Sequence, residues 1–276
     1  KLMQSRYDIT DKGYYRLYVE KKNDLENPFN IETFYWYMSI YEKGIRIAVS
    51  EEDMDASKYY EIHMNCWSEV IKRTLSDDFG LGTYRFRIKL IKANDQGGFM
   101  VFITSAVNMH NALSPYPFAK RIDMIDEICS SNSYGHFFTK EGNIDTAFEL
   151  IHFKNEWFKK IILDTMHNDP VDIMAFVQGY TDTVNHVYRS VFEKVQKATL
   201  EQTETAEYAY NKAYEMLDDF VGWLYENVIG EDTVFMIIGD HGAVGFNRTV
   251  LVHDYFEKEG FLKYLPEPDG KHVYWR

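Results

Sequence analysis

The sequence predicts an α/β protein in which part of a parallel sheet is flanked by helices, with an antiparallel β-rich insert on its N-terminal side. Aromatic and β-branched runs joined by hairpin turns extend to about residue 104, and patterns of helical period follow. Two apolar runs, Val171–Val177 and Thr233–Ile238, then alternate with helices, as in a parallel sheet. We therefore expect a β-rich insert or cap at residues 1–112 and an α/β portion at residues 113–276.

The N-terminal runs predict an antiparallel sheet because turns of hairpin chemistry separate them. They are Thr33–Ile40, Gly44–Ser50, Gly82–Ile91 and Gly98–Thr104. In the third run Arg85, Arg87 and Lys89 alternate with apolar residues, which predicts a solvated face over a packed one. Basic residues between aromatics are also compatible with nucleic-acid binding, but we favour the solvated strand face.

Three helices are predicted in the next part of the chain. Ser114-Pro115 has the chemistry of a helix start, and Gly135 follows as a stop. A second helix is expected from Asp145 to His167. Thr199 and Gln202 have capping-box spacing at the start of a long helix that ends near Val228.

Composition and charge exclude several classes of function. The net charge is −13 at pH 7, which argues against binding to the backbone of duplex nucleic acid. It does not exclude a phosphate substrate, because divalent cations can reverse the local potential of an acidic site. No apolar run has the length of a membrane span, and two cysteines cannot form a disulfide framework. We expect a protein of a reducing compartment, the cytoplasm.

Two pairs of potential metal ligands follow the two apolar runs. Asp182 and His186 are four residues apart, so they share one face if the segment is helical. Asp240 and His241 are adjacent in a glycine-flanked turn. Carboxylate and imidazole suit zinc. Taken alone, Asp182 could equally be a helix cap, and Asp-His-Gly could be an ordinary surface turn.

In combination the two pairs are more specific. The segment Gly179–His186, a long helix carrying Leu217-Asp218-Asp219, and the segment Thr233–Gly242 together resemble the type I phosphodiesterase and nucleotide pyrophosphatase group of the alkaline phosphatase superfamily. The resemblance is close between Pro170 and Leu262. It implies an alkaline-phosphatase-like parallel sheet and hydrolysis of a small phosphate ester or nucleotide.

The resemblance also implies a site for two divalent ions, zinc in most members, with manganese or magnesium as alternatives. Asp182 and His186 would hold one ion, and Asp240 and His241 the other. In this family a Thr or Ser activated by its metal attacks phosphorus, and the second metal stabilises the leaving oxygen.

The family's nucleophile and its last metal-binding histidine have no counterpart that we can identify. His253 is too close to the Asp-His-Gly turn, and Thr104-Ser105 is an internal nucleophile candidate that we do not assign. Since the sequence begins at Lys1 without an initiator methionine, we expect a piece of a longer protein. Because the nucleophile is missing, we expect little or no turnover from this piece alone. A non-catalytic metal-binding or interaction module of the same fold, or a sulfatase or phosphomutase of the superfamily, are the alternatives.

Overall fold

The computed structural model describes residues 7–19, 34–77, 80–93, 99–104, 116–123, 125, 138, 143–248, 250–267 and 270–275. The strands are β1 (Tyr7–Ile9), β2 (Tyr15–Val19), β3 (Phe34–Tyr41), β4 (Gly44–Ala48), β5 (Tyr60–His63), β6 (Ile71–Asp77), β7 (Gly80–Phe86), β8 (Ile88–Ala93), β9 (Phe99–Ile103), β10 (Leu262–Glu267) and β11 (Gly270–Trp275). The helices are α1 (Glu51–Asp55), α2 (Tyr116–Asp123), α3 (Ile144–Asn168), α4 (Tyr180–Phe192), α5 (Leu200–Asn227) and α6 (Val252–Lys258).

The chain divides into two compact units. The first comprises Lys1–Gln178 and Glu215–Val234, and the second comprises Gly179–Tyr214 and Phe235–Arg276. The first unit holds the β-rich region and α3. The second holds α4 and α6 together with the β10–β11 hairpin.

The predicted antiparallel β-rich region is confirmed. Strands β1 to β5 form one sheet in chain order, and β6–β7 and β8–β9 form two hairpins. Every second residue at the start of β3 is buried, namely Phe34, Trp36 and Met38, because alternate side chains of a strand point to opposite faces. The Trp36 ring meets Phe86 of β7 edge-on at 5.5 Å between centroids. The core of the first unit therefore joins the sheet to the β6–β7 hairpin.

The solvated face predicted for Arg85, Arg87 and Lys89 is wrong. The run is split at Arg87 into β7 and β8, and Arg85 and Lys89 are both buried. Lys89 contacts Thr146 and Glu149 of α3, so this helix covers the face that we expected to be wet. A sequence window shows which side chains alternate, but it does not show what packs on either face.

The two long helices are confirmed. Asn143 caps α3 by accepting a hydrogen bond from the Thr146 amide through its side chain at 3.2 Å. Thr199 and Gln202 form the predicted capping box of α5, with both reciprocal hydrogen bonds present. The predicted helix start at Ser114-Pro115 and the stop at Gly135 lie outside the described residues.

The predicted parallel sheet is not borne out. All strand ladders among the described residues are antiparallel, and one isolated parallel bridge joins Met64 to Leu90. Val171–Val177 and Thr233–Ile238 form neither strand nor helix, and most of their apolar side chains are exposed. A buried parallel strand requires hydrogen-bonded neighbours and a cover on both faces, and the described residues supply neither to these two runs.

The first of these runs is nevertheless attached to the helices of its unit. The Phe176 ring lies 5.8 Å from the rings of Phe158 and Phe220, between centroids. Beside it, a cavity of about 340 Å³ is lined mainly by apolar residues of α3 and of the run itself. None of the described helices combines the length and apolarity that a membrane-spanning helix needs.

Candidate metal centre

The first ligand pair is on α4, so the helix on which the expected shared face depended is present. The helix follows Gly179, whose carbonyl oxygen accepts hydrogen bonds from both the amide and the hydroxyl of Thr183. Asp182 and His186 are one turn apart, and His186 Nε2 lies 3.4 Å from Asp182 Oδ1. Both side chains are exposed, since the buried residues Tyr180, Val184 and Ser190 occupy other positions of α4. The pair can therefore present an oxygen and a nitrogen donor to the same ion.

The second pair lies in the turn after Thr233–Ile238. Asp240 Oδ1 accepts a hydrogen bond of 2.9 Å from the His241 amide, which fixes the carboxylate beside the imidazole. His241 Nε2 lies 3.4 Å from Asp240 Oδ2. His241 Nδ1 lies 3.0 Å from the carbonyl oxygen of Gly242, an acceptor that favours the tautomer protonated at Nδ1. In that tautomer the lone pair of Nε2 is available to a metal ion.

A backbone carbonyl and two carboxylates stabilise the protonated form of His241. Its pKa is raised above the usual value, first by the hydrogen bond to the Gly242 carbonyl and then by the charges of Asp240 and Asp182. The contribution of Asp182 shows that the first pair lies within electrostatic range of the second. Both pairs belong to the second compact unit.

The described residues bring each pair together but do not complete a coordination sphere. Among them, no three side chains of His, Cys, Asp or Glu converge closely enough to share a metal ion. The assignment of one pair to each of two ions therefore stays a prediction. A zinc or manganese ion held by two protein ligands requires further ligands in its remaining positions.

Thr104, the described member of the internal nucleophile candidate, is unsuited to that role. It is buried, and its hydroxyl accepts a hydrogen bond of 2.9 Å from the amide of Arg87. The other candidate ligand near the turn, His253, lies on α6. We retain neither residue in the site.

Sequence reasoning missed two residues that bind the loop after the Asp240-His241 turn. Ser190 and Glu193, at the C-terminal end of α4, accept hydrogen bonds from the amides of Phe246 and Gly245. These partners are more than fifty residues apart in the chain, so periodicity could not reveal them. The glycine at 245, which ends the motif-bearing stretch, was the available signal, because a glycine often marks a close approach of the backbone.

One comparison with known proteins identifies a family. The family model described as type I phosphodiesterase / nucleotide pyrophosphatase matches residues 45–275. The matched span covers most of the chain and includes α4 and the Asp240-His241 turn. No curated protein and no solved structure matches the chain.

Proposed function

Since the chain belongs to the type I phosphodiesterase / nucleotide pyrophosphatase family, we propose that its site acts on small phosphate esters with the help of two divalent metal ions. The family indicates hydrolysis of phosphodiester or pyrophosphate bonds, with a nucleotide-like compound as substrate. The observation that supports metal dependence is the arrangement of Asp182 with His186 and of Asp240 with His241. Each pair places a carboxylate oxygen and an imidazole nitrogen 3.4 Å apart at the protein surface.

The donor set of these pairs fits a borderline cation. Imidazole together with carboxylate binds zinc well and also accepts manganese, whereas magnesium prefers oxygen ligands alone. The Gly242 carbonyl orients the His241 ring and leaves Nε2 free to coordinate. The residues present therefore suit zinc or manganese better than magnesium.

The roles of the four side chains follow from their charges. Asp182 and Asp240 attract cations to a surface that would otherwise repel a phosphate, in a protein whose net charge is −13. His186 and His241 add neutral donors, which set the geometry without cancelling the charge of the ion. When bound, two such ions would polarise the phosphoryl oxygens and offset charge on the leaving group.

The proposal is tested first by metal binding, because no nucleophile is assigned. We expect the purified chain to bind Zn²⁺ in competition with a chromogenic chelator. Asp182→Asn and Asp240→Asn should each lower the affinity by more than about tenfold. The matched control is Asp254→Asn, which removes an exposed carboxylate of α6 in the same unit and should leave the affinity unchanged.

A second measurement follows hydrolysis of bis-p-nitrophenyl phosphate with Zn²⁺ or Mn²⁺. We expect low turnover from this chain, and whatever turnover occurs should be lost in Asp240→Asn. Zinc binding that is equal in wild type and in both ligand variants would refute the proposed site. Metal-independent hydrolysis that persists in Asp240→Asn would refute the proposed chemistry.

A further inference from the structure

Two backbone amides of the loop after the Asp240-His241 turn donate hydrogen bonds to the end of α4. The Gly245 amide donates to Glu193 Oε2 at 2.7 Å, and the Phe246 amide donates to Ser190 Oγ at 2.9 Å. We call these four residues the clasp. It joins the loop that begins at one ligand pair to the helix that carries the other pair.

A side chain at Gly245 would be crowded against the end of α4. A Cβ atom at this position would lie 2.9 Å from Glu193 Oε2, 3.0 Å from Val195 Cγ2 and 3.1 Å from Ser190 Cα. The Ser190 Cα belongs to the helix backbone and cannot rotate away. An added Cβ would therefore shift the loop relative to Ser190 by a few tenths of an ångström, which disturbs the geometry of the two hydrogen bonds.

Glu193 is itself held in place by charged and polar neighbours. Arg189, one turn earlier on α4, forms an ion pair with it. The amide of Gly245, and after it the Arg189 side chain, lower the pKa of the Glu193 carboxyl. The acceptor of the Gly245 amide is therefore a carboxylate at neutral pH, and hydrogen bonds to charged acceptors are stronger than neutral ones.

The same network reaches the helix surface next to the first ligand pair. Tyr210 of α5 is the first of the neighbours that raise the pKa of Arg189, through a side-chain hydrogen bond. The Tyr210 hydroxyl in turn donates to Asn185 Oδ1 at 2.8 Å, and Asn185 directly precedes His186. A continuous set of polar contacts therefore connects His186's neighbour to the loop that follows His241.

We propose that Ser190 and Glu193 are positioning residues for the metal centre. They hold the Asp240-His241 turn against α4, so that the two ligand pairs keep the separation that two bound ions require. This inference rests on the proposed function, since it assumes that the pairs bind metal. Ser190 and Glu193 would touch neither ion and would act through the backbone of the loop. Rigid support of this kind raises metal affinity because less ordering remains for the binding step.

The test combines hydrogen exchange with zinc binding in the whole chain. In the metal-free protein, the amides of Gly245 and Phe246 should exchange about tenfold faster in Ser190→Ala/Glu193→Ala than in wild type. The same variant should bind Zn²⁺ about tenfold more weakly, with unchanged stoichiometry because all four ligands remain.

Three further variants distinguish loss of the clasp from a general effect of mutation. Glu193→Gln retains an acceptor oxygen and should keep most of the wild-type affinity. Gly245→Ala leaves every polar group in place and should lower the affinity through the added Cβ alone. Glu207→Ala, which removes an exposed glutamate of α5 in the same unit, should change neither exchange nor affinity. Circular dichroism spectra check that each variant is folded.

The possible failures are distinguishable. If wild type binds Zn²⁺ and Ser190→Ala/Glu193→Ala binds it equally well, the clasp does not position the ligands and the inference is overturned, while the proposed function stands. If wild type binds no Zn²⁺, the proposed function fails, and the positioning role fails with it. Fast exchange of both amides in wild type would overturn the clasp itself.

Discussion

Glu149→Ala should destabilise the first unit more than removal of its buried partner Lys89 does. The Lys89 side chain is 2% exposed, and its ammonium group contacts the Glu149 carboxylate and donates to Thr146 Oγ1 at 2.9 Å. Glu149 also accepts a hydrogen bond of 2.7 Å from Trp67 Nε1. Without Glu149, the buried Lys89 ammonium loses the carboxylate that balances its charge and is left beside the Thr146 hydroxyl and the Trp67 ring.

The two partners differ in exposure, and this difference sets the magnitudes. Removing one member of a buried ion pair costs about 3–5 kcal/mol. The Glu149 side chain is 39% exposed, so in Glu149→Ala water can replace part of the interaction that the Lys89 ammonium loses. For this variant we therefore expect the lower end of that range, a loss of about 3 kcal/mol in the free energy of unfolding. In Lys89→Met the apolar stem is kept and the freed carboxylate is partly hydrated, so we expect about 1 kcal/mol.

Urea unfolding followed by tryptophan fluorescence measures both free energies of unfolding. The double variant Lys89→Met/Glu149→Ala should cost about 2 kcal/mol less than the sum of the single changes, because no charge is then left buried and unpaired. Lys92→Met, at an exposed position of the same strand, is the matched control and should fall within about 0.5 kcal/mol of wild type. Equal costs for the two single variants, or strict additivity in the double variant, would refute this account of the pair.

Four other outcomes are expected. In the metal-free protein the His241 imidazole should titrate by NMR above its usual midpoint of about 6.5, and Asp240→Asn should lower that midpoint. Since this pKa is raised in the folded state, the stabilisation from protonated His241 is present at low pH and is lost as the pH rises through the folded pKa. Zinc affinity should rise over the same window, because the proton must leave before the metal binds, and a pH-independent affinity would contradict this. Gly44→Ala should cost at least about 2 kcal/mol in urea unfolding, because the new Cβ would overlap the Ile62 carbonyl oxygen of the paired strand. Gly222→Ala should instead stabilise α5 by about 0.5–1 kcal/mol, since its Cβ would meet no atom within 4 Å, and a loss of stability there would contradict the helix assignment.

Local chemistry made parts of the fold predictable. The capping box at Thr199 and Gln202 satisfies its own backbone groups within one turn, so a short window contains all the necessary information. The helical period likewise predicted α3 to within a residue at each end. The family was predicted from two ligand motifs in the correct order, and the family match confirms it.

The parts of the fold that were predicted wrongly depend on packing between residues far apart in the chain. The burial of Lys89 depends on α3, more than fifty residues further along the chain. The strand predictions for Val171–Val177 and Thr233–Ile238 assumed neighbours that the apolar pattern implies but does not identify. Asp182 and His186 share one helix face, as expected for a helical segment, whereas their relation to Asp240 and His241 was expected to come from two adjacent parallel strands that these runs do not form.

The support of the candidate site therefore differs from what the sequence suggested. A parallel sheet would fix both ligand pairs through the backbone ladders of adjacent strands. In this structure neither apolar run forms a ladder, and the loop that follows the Asp240-His241 turn is hydrogen-bonded to the end of α4 through the amides of Gly245 and Phe246. Two hydrogen bonds are a weaker constraint than a strand buried between neighbours. The metal affinity of this chain should accordingly depend on Ser190 and Glu193 to a degree that a sheet-supported site would not show.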